Sequence, residues 1–173
     1  NSSTLSFKIL IMLSHLQFFF VLAFAAVQGV HGGEVIRADR SETFRTSSGL
    51  LRMVWGGVSI VDSIRGISIS ADSANIWVSS DSARAISRAR LSGKVSLKEN
   101  DRSVHSKNLE YDPRNEIAVF TGRVRVIETG KDLFAREVTY DRRRNQLRSR
   151  RSVRLEYPPS GLVVIADELV YST

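Results

Sequence analysis

Apolar and polar positions alternate with period two through most of the chain after residue 33. Val58/Ile60, Val95/Leu97, Val124/Val126 and Val153/Leu155 are separated by Ser59, Ser96, Arg125 and Arg154. Each such run is a strand with one apolar and one wet face. Ile67/Ile69, Leu133/Ala135 and Leu162/Val164/Ala166 alternate likewise. Turn-forming residues sit between the paired runs, at 62–66, 99–101, 129–131 and 158–161, so the pattern predicts an up-strand, a short turn and a down-strand. The down-strands change phase part-way: the apolar positions move from Leu133/Ala135 to Val138/Tyr140. A one-residue phase change predicts a bulge or kink. No stretch after residue 33 predicts a helix of ordinary length; residues 80–88 read as a short helix or as a longer hairpin.

The alternation is itself repeated. Gly56-Gly57-Val58-Ser59-Ile60 returns as Gly93-Lys94-Val95-Ser96-Leu97, as Gly122-Arg123-Val124-Arg125-Val126, and as Arg151-Ser152-Val153-Arg154-Leu155 with the glycine lost. The starts, 56, 93, 122 and 151, lie 37, 29 and 29 residues apart. A second motif follows each copy: Ala71-Asp72-Ser73-Ala74-Asn75-Ile76, Ser106-Lys107-Asn108-Leu109-Glu110-Tyr111, Ala135-Arg136-Glu137-Val138-Thr139-Tyr140 and Ala166-Asp167-Glu168-Leu169-Val170-Tyr171. Ile36-Arg37-Ala38-Asp39 is a truncated forerunner. Such units cannot bury an apolar face alone and are stabilised by stacking. The repeated glycine marks a corner in the strand, and its loss at Arg151 shows that the corner accepts a side chain.

Ahead of the repeats, Lys8 precedes apolar runs at 9–13 and 18–26, and Ala23-Phe24-Ala25 supplies a small-x-small cleavage pattern. Val30-His31-Gly32 is a weaker site. Residues 1–33 therefore predict a signal peptide or N-terminal anchor, and residues 34–173 the exported domain. The apolar stretch at 9–30 is also long enough to span a bilayer, although Ser14, His15, Gln17 and Gln28 interrupt it.

Composition removes several chemistries. The chain has no cysteine and three histidines, of which only His105 lies beyond the leader, so disulfides, thiolate sites, His-based metal centres and a Ser-His-Asp triad are not expected. No catalytic constellation, metal site or cofactor motif is present. Asp39, Asp72 and Asp167 recur at one repeat position and predict a structural role at the kink. The net charge is +7, and +6 over residues 34–173, which suits an anionic partner or serves solubility.

The G-x-V-x-apolar unit, the following A-x-x-apolar-x-Tyr-Asp motif and the short run into the next glycine resemble the OstA-like domain of lipopolysaccharide-transport periplasmic proteins. That family includes LptA-like soluble bridge members and LptC-like anchored members. The resemblance covers residues 34–173. It implies an all-β, antiparallel repeat β-jellyroll, two sheets in an open V with acyl chains between their apolar faces. It further implies a non-enzymatic periplasmic component that binds lipopolysaccharide or lipid A and bridges the inner and outer membranes. Its partners would be other β-jellyroll proteins, or further copies head to tail, paired through the end strands at 34–39 and 162–171. An unremoved leader would leave the domain anchored at the inner membrane. A structural or adhesive exported repeat protein is the alternative.

Two sets of residues are candidates for binding. Val58, Ile60, Ile67, Ile69, Val95, Leu97, Val104, Val124, Val126, Leu133, Val153, Leu155, Leu162 and Val164 form either a closed sandwich core or, as the resemblance implies, the wall of an acyl groove. Arg142, Arg143, Arg144, Arg148, Arg150 and Arg151, with Arg154 beyond them, form a basic patch suited to lipid phosphates or an acidic partner, or else a solvated turn with a charged edge. Nucleic acid is not expected, since the chain is exported and no aromatic platform accompanies the arginines.

Overall fold

The alternating runs form strands that are longer than the repeat units themselves. The computed structural model describes residues 29–31, 34–47, 49–79 and 86–172. In chain order the strands are β1 (Gly29–His31), β2 (Glu34–Arg37), β3 (Arg40–Thr46), β4 (Gly49–Asp62), β5 (Ile67–Ser79), β6 (Ile86–Glu99), β7 (Arg102–Asp112), β8 (Ile117–Glu128), β9 (Lys131–Asp141), β10 (Gln146–Tyr157) and β11 (Leu162–Ser172). They build one antiparallel sheet in the order β1-β2-β4-β5-β6-β7-β8-β9-β10-β11, with β3 paired to the other half of β4. The expected all-β antiparallel jellyroll is the observed architecture, with its two sheets formed as halves of one continuous sheet. Residues 1–28, 32 and 33 of the expected leader and residues 80–85 of the uncertain segment lie outside the described residues. β1 shows that the sheet extends upstream of Glu34.

From β4 to β11 the strands run 11–14 residues, about twice the usual length, because each passes through the repeated corner instead of ending there. On β4, β6, β8 and β10, two residues at the corner face one on the next strand: 56–57 face Asp72, 93–94 face Lys107, 122–123 face Arg136, and 151–152 face Asp167. Both residues of each pair have positive φ, as at Gly93 (76°) and Lys94 (43°). A two-against-one bulge bends and twists the strand. Repeated in register, it folds the whole sheet along one line. β2 and β3 are a single strand of the same kind, interrupted at Ala38-Asp39, where the Asp39 amide donates to the Gly56 carbonyl at 3.1 Å.

The fold line accounts for the phase change in the sequence. On β5 the buried positions pass from Ile67, Ile69 and Ala71 to Ala74, Ile76 and Val78; on β9 they pass from Leu133 and Ala135 to Val138 and Tyr140. A phase slip in the strands without the extra residue matches the insertion in those with it, so both halves keep their apolar side inward. The inward residues form one cluster, with Ile76, Leu109, Phe120 and Leu147 fully buried.

The first residue of each bulge lies against the preceding strand. A Cβ on Gly93 would stand 2.4 Å from Asp72 Oδ2, whereas one on Gly57, also at positive φ, meets nothing within 4 Å. Arg151 and Ser152 adopt φ of 66° and 60°, so the last corner keeps the backbone shape at the cost of strain. Gly93→Ala should therefore destabilise by about 2–3 kcal/mol, clash and strain together, and Gly57→Ala by about 1 kcal/mol. Urea unfolding with an unchanged m-value checks the difference.

Candidate functional site: the interior between the half-sheets

Below the fold line lie the halves of the strands that carry the Val-x-apolar motifs; above it lie those that carry the Ala-x-x-apolar-x-Tyr motifs. Of the predicted groove residues, Val58, Ile60, Ile67, Ile69, Val95, Leu97, Val104, Val124, Val126, Leu133, Val153 and Leu155 are all inward in the lower half and 1–4% exposed. Val164 is half-buried and packs against the same cluster. Leu162, predicted inward, is 54% exposed, because it starts the edge strand, where no further strand covers it. The structure thus buries twelve of the fourteen in a packed interior and sets Val164 against its edge. The prediction omitted the upper wall: Val54, Ile76, Leu91, Leu109, Phe120, Val138 and Leu147 are equally buried. The second phase of each strand was the signal for them.

Among the described residues, the predicted basic patch is divided into separate ion pairs. Arg148 and Arg150 pair with Glu168, Arg144 with Asp141, Arg151 with Glu137, and Arg154 with Glu156. Arg143 lies 3.9 Å from Glu116. These exposed pairs contribute little to stability, but they neutralise much of the positive face. Asp39, in the break between β2 and β3, Asp72 on β5 and Asp167 on β11 lie apart along the fold line, the first two against Gly56 and Gly93. They form no common centre. His105 is exposed, and no group of three His, Asp or Glu fit to hold a metal occurs among the described residues.

Arg142 behaves differently from its neighbours. It extends from the β9–β10 turn of the upper half to the lower half, where Nε donates to Glu99 Oε1 at 2.8 Å and Nη2 to the Arg65 carbonyl at 3.2 Å. Beside it the Arg102 guanidinium donates to Glu128 Oε1 at 2.6 Å and stacks 4.6 Å from the Tyr140 ring centroid. Lys131 Nζ lies 5.2 Å from the Tyr171 ring. The tips of the two halves are therefore joined by a polar seam built from the Tyr of the second motif and the carboxylates that end the ascending strands. Glu99 is 5% exposed and faces Arg142 and Arg102. Burial and then the Glu99 charge push the Tyr140 hydroxyl pKa up. Burial and the Glu128 charge do the same, more strongly, at Tyr171.

Comparison with known proteins agrees with this geometry. Residues 26–146 match the family model described as LptA/(LptD N-terminal domain) LPS transport protein. The solved structure of LptH from Pseudomonas aeruginosa, titled the LptA homologous periplasmic component of the lipopolysaccharide transport device, superposes with a TM-score of 0.60 at 12% identity. That alignment covers 77% of this chain and 93% of LptH, and at such identity it shows the shared fold. No curated protein matches the sequence.

The seam sets an alkaline limit on stability. Tyr140 and Tyr171 have raised pKa values in the folded state, so the unfolded chain releases those protons first, at about pH 10. Their contribution is complete below that pH and is lost as pH rises toward the folded-state values. Stability in urea should fall steeply above about pH 10, and Tyr171→Phe should flatten that fall while leaving the neutral-pH spectrum of the strands unchanged.

Proposed function

We propose, since this chain belongs to the LptA/LptD N-terminal-domain family of lipopolysaccharide-transport proteins, that it is a non-enzymatic carrier of lipopolysaccharide in the periplasm. The observation that carries the reading is the apolar interior, which runs through β2 and every strand from β4 to β11 between two half-sheets. The sheet is not closed into a barrel, so this interior ends at two edges and continues wherever another sheet is added. Acyl chains match it chemically, since they gain by leaving water and ask for no hydrogen bonds. The packed interior admits them by separation of the half-sheets at the seam.

Strand direction supports assembly into a bridge. Directions alternate from β2/β3 to β11, so a strand added beyond β11 must run as β10 does. β1, antiparallel to β2, has that direction, and a second copy or a related jellyroll docking through β1 would keep the alternation. β11 offers an 11-residue edge with Val163, Ile165 and Val170 exposed, the kind of edge that pairs unless guarded. β1 belongs to the sheet, so leader removal at Ala23-Phe24-Ala25 leaves the domain whole, whereas removal at Val30-His31-Gly32 would cut through β1.

A photoreactive residue at Val95 or Val126, both 1% exposed, should crosslink to lipopolysaccharide in cells, and one at Arg125, on the outer face, should not. Mass spectrometry of the labelled protein also reports where the leader is removed. Equal labelling inside and outside, or none at either, rejects the carrier reading. For assembly, sizing should show oligomers that grow with concentration and that Val164→Asp reduces to monomers, because the charge would sit in the continued interior. A wild-type monomer at high concentration rejects head-to-tail stacking.

A further inference from the structure

The interior is apolar along its length except at the β3 end. Arg52 lies on β4 between the inward Leu50 and Val54 and in register with Ile76, which is fully buried. Its side chain therefore leaves the sheet on the inward side, where every repeat-equivalent strand places an apolar residue or a small one. Nη1 of Arg52 is shielded from solvent and has no hydrogen-bond partner among the described residues. On the adjoining β3, Thr43 pairs with Arg52 and Arg45 pairs with Leu50, so both lie on that same face. No carboxylate forms an ion pair with either arginine among the described residues. The opposite edge, β11, presents Val164, Ala166, Leu169 and Tyr171 inward. One end of the interior is cationic and the other is apolar.

A guanidinium in such a place is costly without a counter-charge, and the same desolvation makes its bond to an anion strong. Its flat fork matches the oxygens of a phosphate. Leu50 and Val78, the next inward positions toward the tips, line a surface depression with Thr46, Trp77, Arg88 and Arg114, from which an anion would reach Arg52 while its apolar tail extends along the interior. We propose that Arg52, with Arg45 beside it, is a phosphate site for the headgroup of an acylated, phosphorylated glycolipid, and that it fixes which way the lipid lies in the interior. The site rests on the carrier reading above and adds to it an orientation and a headgroup requirement. Arg142–Arg151, the run of arginines that stands out in the sequence, has its own carboxylates; Arg52 has none among the described residues.

The test uses the purified full chain, bis-phosphorylated lipid A, the same lipid with both phosphates removed, and inorganic phosphate as a competitor. Arg52→Gln should weaken binding of the phosphorylated lipid by about tenfold and that of the phosphate-free lipid by less than about twofold, the difference expected for one charge-assisted contact. Arg90→Gln, on the outer face, should change neither. Without lipid, Arg52→Met should unfold at a higher temperature than the wild type, because an unpaired cation is removed from an apolar wall; a lower temperature would assign Arg52 to structure and overturn the site. Equal losses for both lipids, or no loss for either, also overturn it while leaving the carrier reading intact. Competition by millimolar inorganic phosphate as complete as that by lipid would identify a free-anion site and overturn the lipid assignment. Failure of the wild type to bind either lipid removes the carrier reading and this site with it.

Discussion

Everything in this molecule depends on one backbone constraint, the insertion of a single extra residue into every second strand at the same height. An antiparallel sheet with one apolar face needs a second layer to cover that face, and this chain supplies no other element among the described residues. It covers the sheet with itself. The pairs of left-handed residues at 56–57, 93–94, 122–123 and 151–152 give the bend, and the neighbouring strands answer with a phase slip that keeps apolar residues inside on both arms. A single corner misplaced by one residue would turn an arm inside out. That explains why the corner spacing is so regular while the side chains at the corner range from glycine to Lys94, Arg123 and Arg151.

The fold was legible because this constraint is local. Phase slip, glycine and turn residues all lie within a few positions of one another, and four copies make each visible against the rest. The continuity of the strands was less legible, since a glycine inside a strand and a glycine ending one look alike in sequence. The seam was not legible at all. Glu99 and Arg142 are 43 residues apart and meet only because the sheet folds over, so Arg142 looked like one more arginine of a basic run. Leu162 shows the opposite failure: its alternation is correct, and its exposure follows from its place at the start of an edge strand. Arg52 left a trace that alternation alone could have shown, a cation at an inward position between Leu50 and Val54.

The interior and the seam make opposite demands. The interior gains from any apolar filling, whether side chains of the facing arm or acyl chains, and discriminates little between them. The seam is specific: Arg142 with Glu99 and Arg102 with Glu128, beside Tyr140 and Tyr171, meet only in the closed arrangement, and buried polar groups parted from their partners are costly unless water reaches them. The seam sits at the tips, where water does reach them when the arms part. In the proposed carrier, opening there would exchange protein hydrogen bonds for hydrated ones and apolar contacts for lipid contacts, so neither side of the exchange would leave a large deficit.

On the proposed carrier reading, that balance explains how one packed domain would take up lipid. A core closed by apolar contacts all round would resist filling, because separating its layers exposes apolar surface to water before lipid can replace it. Here the line along which the arms must part is polar and its groups are individually solvable, while the hinge along which they bend is covalent and already strained at Arg151 and Ser152. The free energy of separation is therefore concentrated in the interior contacts, which acyl chains would restore in the proposed carrier. The repeat that defines the sequence thus sets the bend and the seam together: its glycine motif places the corner, and its tyrosine motif places the closure.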